Sequence, residues 1–491
     1  MTTSRYRATT PTVAVVGGGF AGIAAGVKLL RAGIPTFAIY EKAPTIGGTW
    51  RENTYPGCEV DTPSILYSFS FTRPDWTRTH VGQEELRAHL EEVVDQFGLR
   101  PHLRLGVGVD RAVWDERSQG YRLELDDGTS ATCDVVISAV GFLNVPNEPD
   151  WPGLDTFAGP VFHTAQWEHH HDLDGKRIAV IGTGSSAAQL VPHLAERAEQ
   201  VLLFQREPGW ILPKGERELT PDERARRQRP LARRLDRLKQ LRVVEKNLWR
   251  GGSYTPGSAV HTRAEAACRA YIEHEFADHP DLREAVTPTY PYWGKRVIFA
   301  STFYPTLRRD DVELVPRAVV RVTETGVVDA DGIEHPVDVI VLATGFQPTN
   351  YLAHLRVVGR GGRSLHDHWD GEPNAFLGIT VPGFPNFFML YGPGTNGGEI
   401  VWMLERQSEY AVRAIRRLMR TGATAVEVRP LWGLLYDRWL QRSVRNTAWA
   451  VSHNYFTSDS GRIVTQWPYS PMVYAALTKT LGRWSERLGR R

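Results

Sequence analysis

Apolar runs closed by glycine, followed by helical spacing, occur twice in the chain. Thr12 to Val16 is an apolar run ending at Gly17, and Phe20 to Leu30 then places apolar residues at intervals of three and four. This order predicts a strand, a glycine turn and a helix. The pattern returns at Arg177 to Ile181, Gly182 and Ser186 to Leu194, so two βαβ starts lie about one domain apart. A second repeat supports this: DVVISAVGF at Asp134 to Phe142 and DVIVLATGF at Asp338 to Phe346 are nearly the same segment. Each reads as a buried strand ending in a small-residue turn, where the chain can cross between domains.

The expected fold class is α/β, with two Rossmann-like dinucleotide-binding domains and a helical insertion. The first domain is assembled from residues 1–145 and 346–491, and the second, 146–345, lies between them. Residues 214–292 break the α/β rhythm, being rich in Arg, Glu, Leu and Ala, and form the insertion. Its run from Arg224 to Arg250 carries many positive charges. A solvated helical face is preferred there over a membrane-facing or lid surface.

Composition narrows the class. A chain of 491 residues with 42% hydrophobic positions exceeds what one core serves, since single cores stop growing near ~250 residues. The formal net charge of +2 gives no reason to expect nucleic acid as a partner. The three cysteines, Cys58, Cys133 and Cys268, are far apart in sequence and odd in number, which fits a reducing compartment and excludes a CxxC redox pair. No cationic stretch leads into an apolar segment at the amino terminus, and no run of ~18 apolar residues follows. A cytoplasmic protein without membrane insertion is expected, and no motif specifies an oligomeric state.

The first turn, GGGFAG, sets Gly17, Gly19 and Gly22 in the GxGxxG spacing, with Phe20 and Ala21 opening the helix. Such glycines allow a tight turn and let backbone approach a pyrophosphate at the helix N-terminus. Glu41 stands 19 positions after Gly22, at the end of a second apolar strand. A carboxylate there accepts hydrogen bonds from ribose hydroxyls, which favours an unphosphorylated adenosine such as that of FAD. The second turn, GTGSSA, places Gly182, Gly184 and Ala187 at the same spacing, and Arg206 lies 19 positions after Ala187. A guanidinium at that point suits a 2′-phosphate, so NADPH is expected in the second site. Glu207 beside it would repel a phosphate and leaves use of NADH open.

Between the two turns, FAGPVFHTAQW places Phe157, Gly159, His163 and Trp167 as FxGxxxHxxxW. On this motif the chain resembles the Baeyer-Villiger monooxygenases, in the class B flavoprotein monooxygenase family, and the likeness extends over nearly the whole chain. Read from the residues alone, His163 is a core or hinge histidine; the resemblance gives it a part in domain motion, not in the chemistry. The run His169 to His171 invites a metal, but adjacent histidines point different ways and no set of carboxylates or cysteines accompanies them, so no metal is expected.

The resemblance implies further site residues. GGTWRENTYPGCEVD, Gly47 to Asp61, is similar to the segment that crosses the flavin face and puts Trp50 near the isoalloxazine and Asp61 in the active site. Glu59 departs from the basic residue the family often has there, so the field near the nicotinamide is expected to differ. YWGKRVIFASTFYPTLRRDDV resembles the segment with the family's active-site pair, Lys295 and Arg296. The FAD site is thus expected to include Lys42, Gly48, Thr49, Tyr67 and Val109, and the NADPH site Thr183, Ser185, Ser186 and Gln189. GPGTNGGEIVWMLERQ and GRIVTQWPYSPMVY match carboxy-terminal FAD-domain segments, the first about two residues shorter than in well-known members.

The function implied is oxidation of a ketone to an ester or lactone, using FAD, NADPH and molecular oxygen through a flavin C(4a)-peroxide. An anionic oxidant in a water-poor cavity needs a fixed positive partner, which a guanidinium supplies. Arg296 is the candidate, and Asp61 its positioning counter-ion. The runner-up is a monooxygenase of nitrogen or sulfur, which would use the protonated oxidant. A pyridine nucleotide-disulfide reductase would need a cysteine pair that the sequence lacks. The pocket is expected between the helical insertion and the loops at Tyr290 to Trp293 and Thr395 to Trp402.

Overall fold

The computed structural model describes residues 10–451 and 454–490. The first nine residues, part of the stretch read for a leader, lie outside them. Two five-stranded sheets, all parallel, organise the chain. In the first, the order is Phe387–Met389, Val135–Ser138, Val13–Val16, Phe37–Glu41 and Leu103–Leu105. In the second it is Val312–Val315, Gln200–Phe204, Arg177–Ile181, Val339–Leu342 and Val161–His163. Val13–Val16, Val135–Ser138 and Val339–Leu342 are buried at every position, as expected where helices cover both faces of a parallel sheet.

The two near-identical segments are equivalent strands. Val135–Ser138 pairs beside the first turn strand, and Val339–Leu342 beside the second. The chain passes between the sheets twice, at adjacent points. Pro146 and Phe346 form an antiparallel bridge, flanked by Asn147 N donating to Gly345 O at 2.9 Å and Gln347 N donating to Val145 O at 3.0 Å. His163, 2% exposed, ends the strand beside this crossing and stands edge-on to Phe346 at 5.9 Å. Its Nδ1 accepts from Ala165 N at 3.0 Å, so it is a core histidine at the joint.

The insertion is helical: Pro221–Gln228, Pro230–Leu248, Ala259–Glu275 and Pro280–Ala285. A Thr220 to Glu223 capping box starts the first of these. The long basic helix corrects the expectation of a plain solvated face. Arg233 and Arg237 are its buried residues, with Leu248, while Leu231, Leu235 and Leu238 face solvent. Among the described residues no helix is long and apolar enough to cross a membrane.

Candidate active site

The first turn is a tight cradle. Gly17 has φ +111°, and a Cβ there would stand 2.6 Å from Ala139 O. A Cβ on Gly22 would overlap the Gly17 carbonyl oxygen. Helix Phe20–Arg31 therefore starts directly against the strand, with no acidic residue in its first turn. Its free N–H groups and dipole suit a pyrophosphate. Glu41 is buried, and both of its oxygens accept backbone N–H groups, from Gly18 at 2.7 Å and Ala43 at 2.9 Å. The carboxylate is thus locked beside the turn, and each oxygen keeps a second lone pair for a ribose hydroxyl. Lys42 is exposed next to it, backed by Gly108, and Val109 is buried in the core that contains Val16.

The second turn repeats the geometry. Gly182 has φ +112°. Helix Ser185–Leu194 follows, again with no acidic residue in its first turn, and open space faces Gly184. Thr183, Ser185 and Ser186 are part-buried at its start. Arg206 is exposed beyond strand Gln200–Phe204, and among the described residues no carboxylate pairs with it, its neighbour Glu207 being taken by Lys295. Lys295 pairs with Glu207 and lies 5.3 Å from the Tyr290 ring centroid. That contact revises the expectation for Glu207: its charge is neutralised, and Lys295 belongs with the second nucleotide turn.

Between the turns, helix Thr49–Glu52 brings Trp50 against Tyr67, the indole N–H donating to the phenol at 3.0 Å and the rings meeting edge to face at 5.5 Å. Phe20 packs edge-on to the same tyrosine at 5.3 Å. Gly48, with φ +54°, caps the short helix that Thr49 opens. Gln189, on the second turn's helix, ties the two halves: it accepts from Tyr55 OH at 2.9 Å and donates to Glu59 O at 2.9 Å. His169 reaches Thr54 Oγ1 at 2.9 Å on the same segment.

Arg296 and Asp61 form an ion pair at the meeting point of these elements, with side chains 37% and 19% exposed. Burial pushes the Asp61 carboxyl up, but Arg296, with Lys214, outweighs it and leaves it below the usual range. Asp61 in turn holds the guanidinium firmly protonated. Tyr67, Tyr391 and Tyr455 share this field, their phenols pushed up mainly by burial. Glu59 does not leave a bare negative charge: buried Lys214 meets it at 2.7 Å and Arg78 at 3.6 Å.

Sequence reasoning did not single out Tyr391, Tyr254 or Glu399, although Tyr254 lies in the insertion and Glu399 in the Thr395 to Trp402 loop expected around the pocket. Tyr391 has φ +62° and donates to Asn396 Oδ1 at 2.8 Å. Tyr254, in the insertion, packs at a tilt against Trp449 at 4.3 Å and meets Trp293 edge-on at 5.1 Å. Glu399 precedes helix Ile400–Thr421 and is 5% exposed. Burial raises its carboxyl to about 7, with Arg237 opposing and Asp61 adding to the shift. The histidine run also needs correction, because a carboxylate does accompany it: Glu168 Oε2 lies 2.9 Å from His171 Nε2 and 3.5 Å from His170 Nε2. His169 is engaged elsewhere, and Glu168, His170 and His171 form a surface group on a bend.

Two glycine turns of one geometry, one with a buried carboxylate and one with a free guanidinium, joined by an ion pair at their meeting point, define a class of protein that holds two dinucleotides end to end. Residues 14–245 match the model of the family described as pyridine nucleotide-disulphide oxidoreductase. The three cysteines here are buried, free and separate. A Baeyer-Villiger monooxygenase of Streptomyces coelicolor is 41% identical over 470 residues, 93% of this chain and 88% of that protein. The chain belongs to the Baeyer-Villiger monooxygenase family. In solved structures, it resembles an oxidised steroid monooxygenase bound to NADP, with TM-score 0.89, 30% identity and coverage of 98% and 100% of the two chains. Cyclohexanone monooxygenase from Rhodococcus sp. Phi1 bound to NADP+ follows, with TM-score 0.87, 29% identity and coverage of 98% and 100%.

Proposed function

We propose that this chain oxidises a ketone to an ester or lactone with FAD, NADPH and oxygen, in the cytoplasm. The observation that carries the reading is the Arg296–Asp61 pair placed where the two nucleotide turns converge. Residues 1–145 and 346–491 would form the FAD unit and 146–345 the NADP unit, with the insertion at about 214–292 covering the site. The first cradle fits FAD, since a Cβ on Gly17 or Gly22 would strike the backbone of Ala139 or of Gly17 and force apart the tight turn that aims the helix N-terminus at a pyrophosphate. Gly19, Phe20, Ala21, Lys42, Gly48, Thr49 and Val109 complete it, and Glu41 takes the ribose. The second fits NADPH: Gly182, Thr183, Gly184, Ser185 and Ser186 hold the pyrophosphate, Gln189 braces the helix, and Arg206, free of a carboxylate, takes the 2′-phosphate.

When bound, the two cofactors supply the reducing equivalents and the activation of oxygen. The protein supplies the electrostatics. Arg296 presents fixed donors to negative charge that develops on the substrate oxygen. Asp61 keeps its fork aimed and offsets the cost of its partial burial. Lys214 adds a second positive charge behind Asp61. Trp50, Tyr67 and the Tyr254–Trp293–Trp449 group exclude water, which strengthens each of these contacts.

The test is Arg296→Ala with Arg296→Lys as control. The alanine variant should retain FAD but lose about 100- to 1,000-fold in ester formation, the usual effect of removing one preorganised donor. NADPH should still be consumed, with oxygen leaving as hydrogen peroxide. Lysine, which restores the charge without the planar fork, should recover part of the activity. Ester formed by the alanine variant at near the wild-type rate would remove Arg296 from the mechanism.

A further inference from the structure

The basic helix of the insertion is built inside out. Helix Pro230–Leu248 turns Arg233 and Arg237 into the protein, 5% and 8% exposed, and turns Leu231, Leu235 and Leu238 outward, 76%, 65% and 45% exposed. The spacing of four and then three residues puts these leucines on one line along the helix. Trp249, 54% exposed, continues that line at the end of the helix. An ordinary amphipathic helix would bury the leucines.

The helix cannot roll over to do so. Arg237 Nη1 donates to Ile65 O at 2.7 Å and Ser68 O at 2.8 Å, and Arg233 Nη2 donates to Ser68 Oγ at 2.8 Å. Rotation would break bonds that satisfy buried charge, which is costly. The far end is also fixed, because Glu245 Oε1 accepts from Met472 N at 2.9 Å. The leucine line is therefore held outward by the fold.

What faces this line is indicated by charge. Residues 224–249 hold ten Arg and Lys against two Asp and Glu, whereas the whole chain has a net charge of only +2. Arg242 lies in the line of leucines, Arg234 and Lys239 flank it, and all three are exposed. Asp236, one of the two acids, is paired with Arg226. A second copy of the same face would bring like charges together. An anionic, apolar surface satisfies both features, and an outward line of leucine and tryptophan with basic flanks is the pattern of helices that lie in a lipid headgroup region.

We propose that helix Pro230–Leu248 with Trp249 is an interfacial anchor that docks the protein on an anionic lipid surface, its leucines entering the headgroup layer and its arginines and lysines meeting lipid phosphates. The inference does not depend on the ketone reading. It adds peripheral contact to a chain with no spanning helix among its described residues.

The experiment is co-sedimentation of the FAD-loaded full chain with phosphatidylcholine vesicles, with and without about 30% phosphatidylglycerol. Binding should require the anionic lipid and fall when NaCl rises from about 0.1 to about 0.5 M. A Leu231→Ser, Leu235→Ser, Leu238→Ser variant should bind at least about tenfold more weakly with unchanged FAD content and turnover of a water-soluble ketone. An Arg234→Gln, Lys239→Gln, Arg242→Gln variant provides an independent arm and should lose the lipid selectivity. No binding at millimolar lipid, equal binding to both vesicles, or undiminished binding by either variant would overturn the proposal. So would a wild-type dimer in solution that the leucine variant dissociates without any lipid binding.

Discussion

Glu399→Gln is the variant whose effect follows most directly from the structure. Glu399 is 5% exposed at the start of helix Ile400–Thr421, and its carboxyl rises from 4.5 to about 7, through burial first. The folded value lies above the unfolded one. Below pH 4.5 the group is neutral in both states and costs nothing. Between 4.5 and 7 the unfolded chain gives up its proton first, so stability falls as pH rises, and above 7 the loss is complete. At about 1.4 kcal/mol per pH unit the full effect is on the order of 3 kcal/mol. Glutamine keeps the shape of the neutral acid and cannot ionise. Guanidinium unfolding of both proteins at pH 5 and pH 8 should show the variant gaining about 2 kcal/mol relative to wild type between the two conditions. A difference that stays constant with pH, or grows in favour of the wild type, would refute the burial of an ionisable carboxyl at this position.

Two further outcomes test the nucleotide sites. Arg206→Ala should raise the KM for NADPH at least about tenfold, the loss of one charge-assisted phosphate contact, and leave NADH nearly unaffected in steady-state assays; equal losses would place Arg206 elsewhere. Gly22→Ala, whose Cβ would overlap the Gly17 carbonyl oxygen, should abolish FAD retention as read by the flavin absorbance of the purified protein, and a yellow variant with normal FAD content would contradict the cradle described here.

The α/β class was legible because its signals are local. A strand, a glycine turn and a helix occupy about twenty consecutive residues, and both examples, Val13–Val16 with Phe20–Arg31 and Arg177–Ile181 with Ser185–Leu194, stand where the pattern put them. The repeated DVVISAVGF and DVIVLATGF segments likewise form equivalent strands. The environment of Arg296 was less legible, since Tyr254, Tyr391 and Tyr455 converge on it, and Glu399 on its partner Asp61, from distant segments. No periodicity links them. Glu59 did carry a signal: an acid in place of a base requires a new partner, and Lys214, some 150 residues away, is that partner. Glu168 was overlooked beside its histidines although adjacent in sequence. The inverted helix was misjudged because leucine and arginine interleave so closely that composition does not tell which face is inside; only the Ile65 and Ser68 carbonyls decide it.

The paired crossing strands at Pro146 and Phe346 have a practical consequence. The chain leaves the first sheet and returns to it at one place, with the outgoing and incoming backbones hydrogen-bonded side by side. The intervening segment is a cassette with a single covalent seam, so its exchange for that of a relative would leave one short junction in place of two distant scars, provided the incoming segment reproduces the Gln189, Lys214, Arg237 and Arg296 contacts. A cassette held in this way also has one pivot. Any rotation of it relative to the flavin segment would turn about that seam and would have to exchange the Arg296–Asp61 and Arg237–Ile65 contacts.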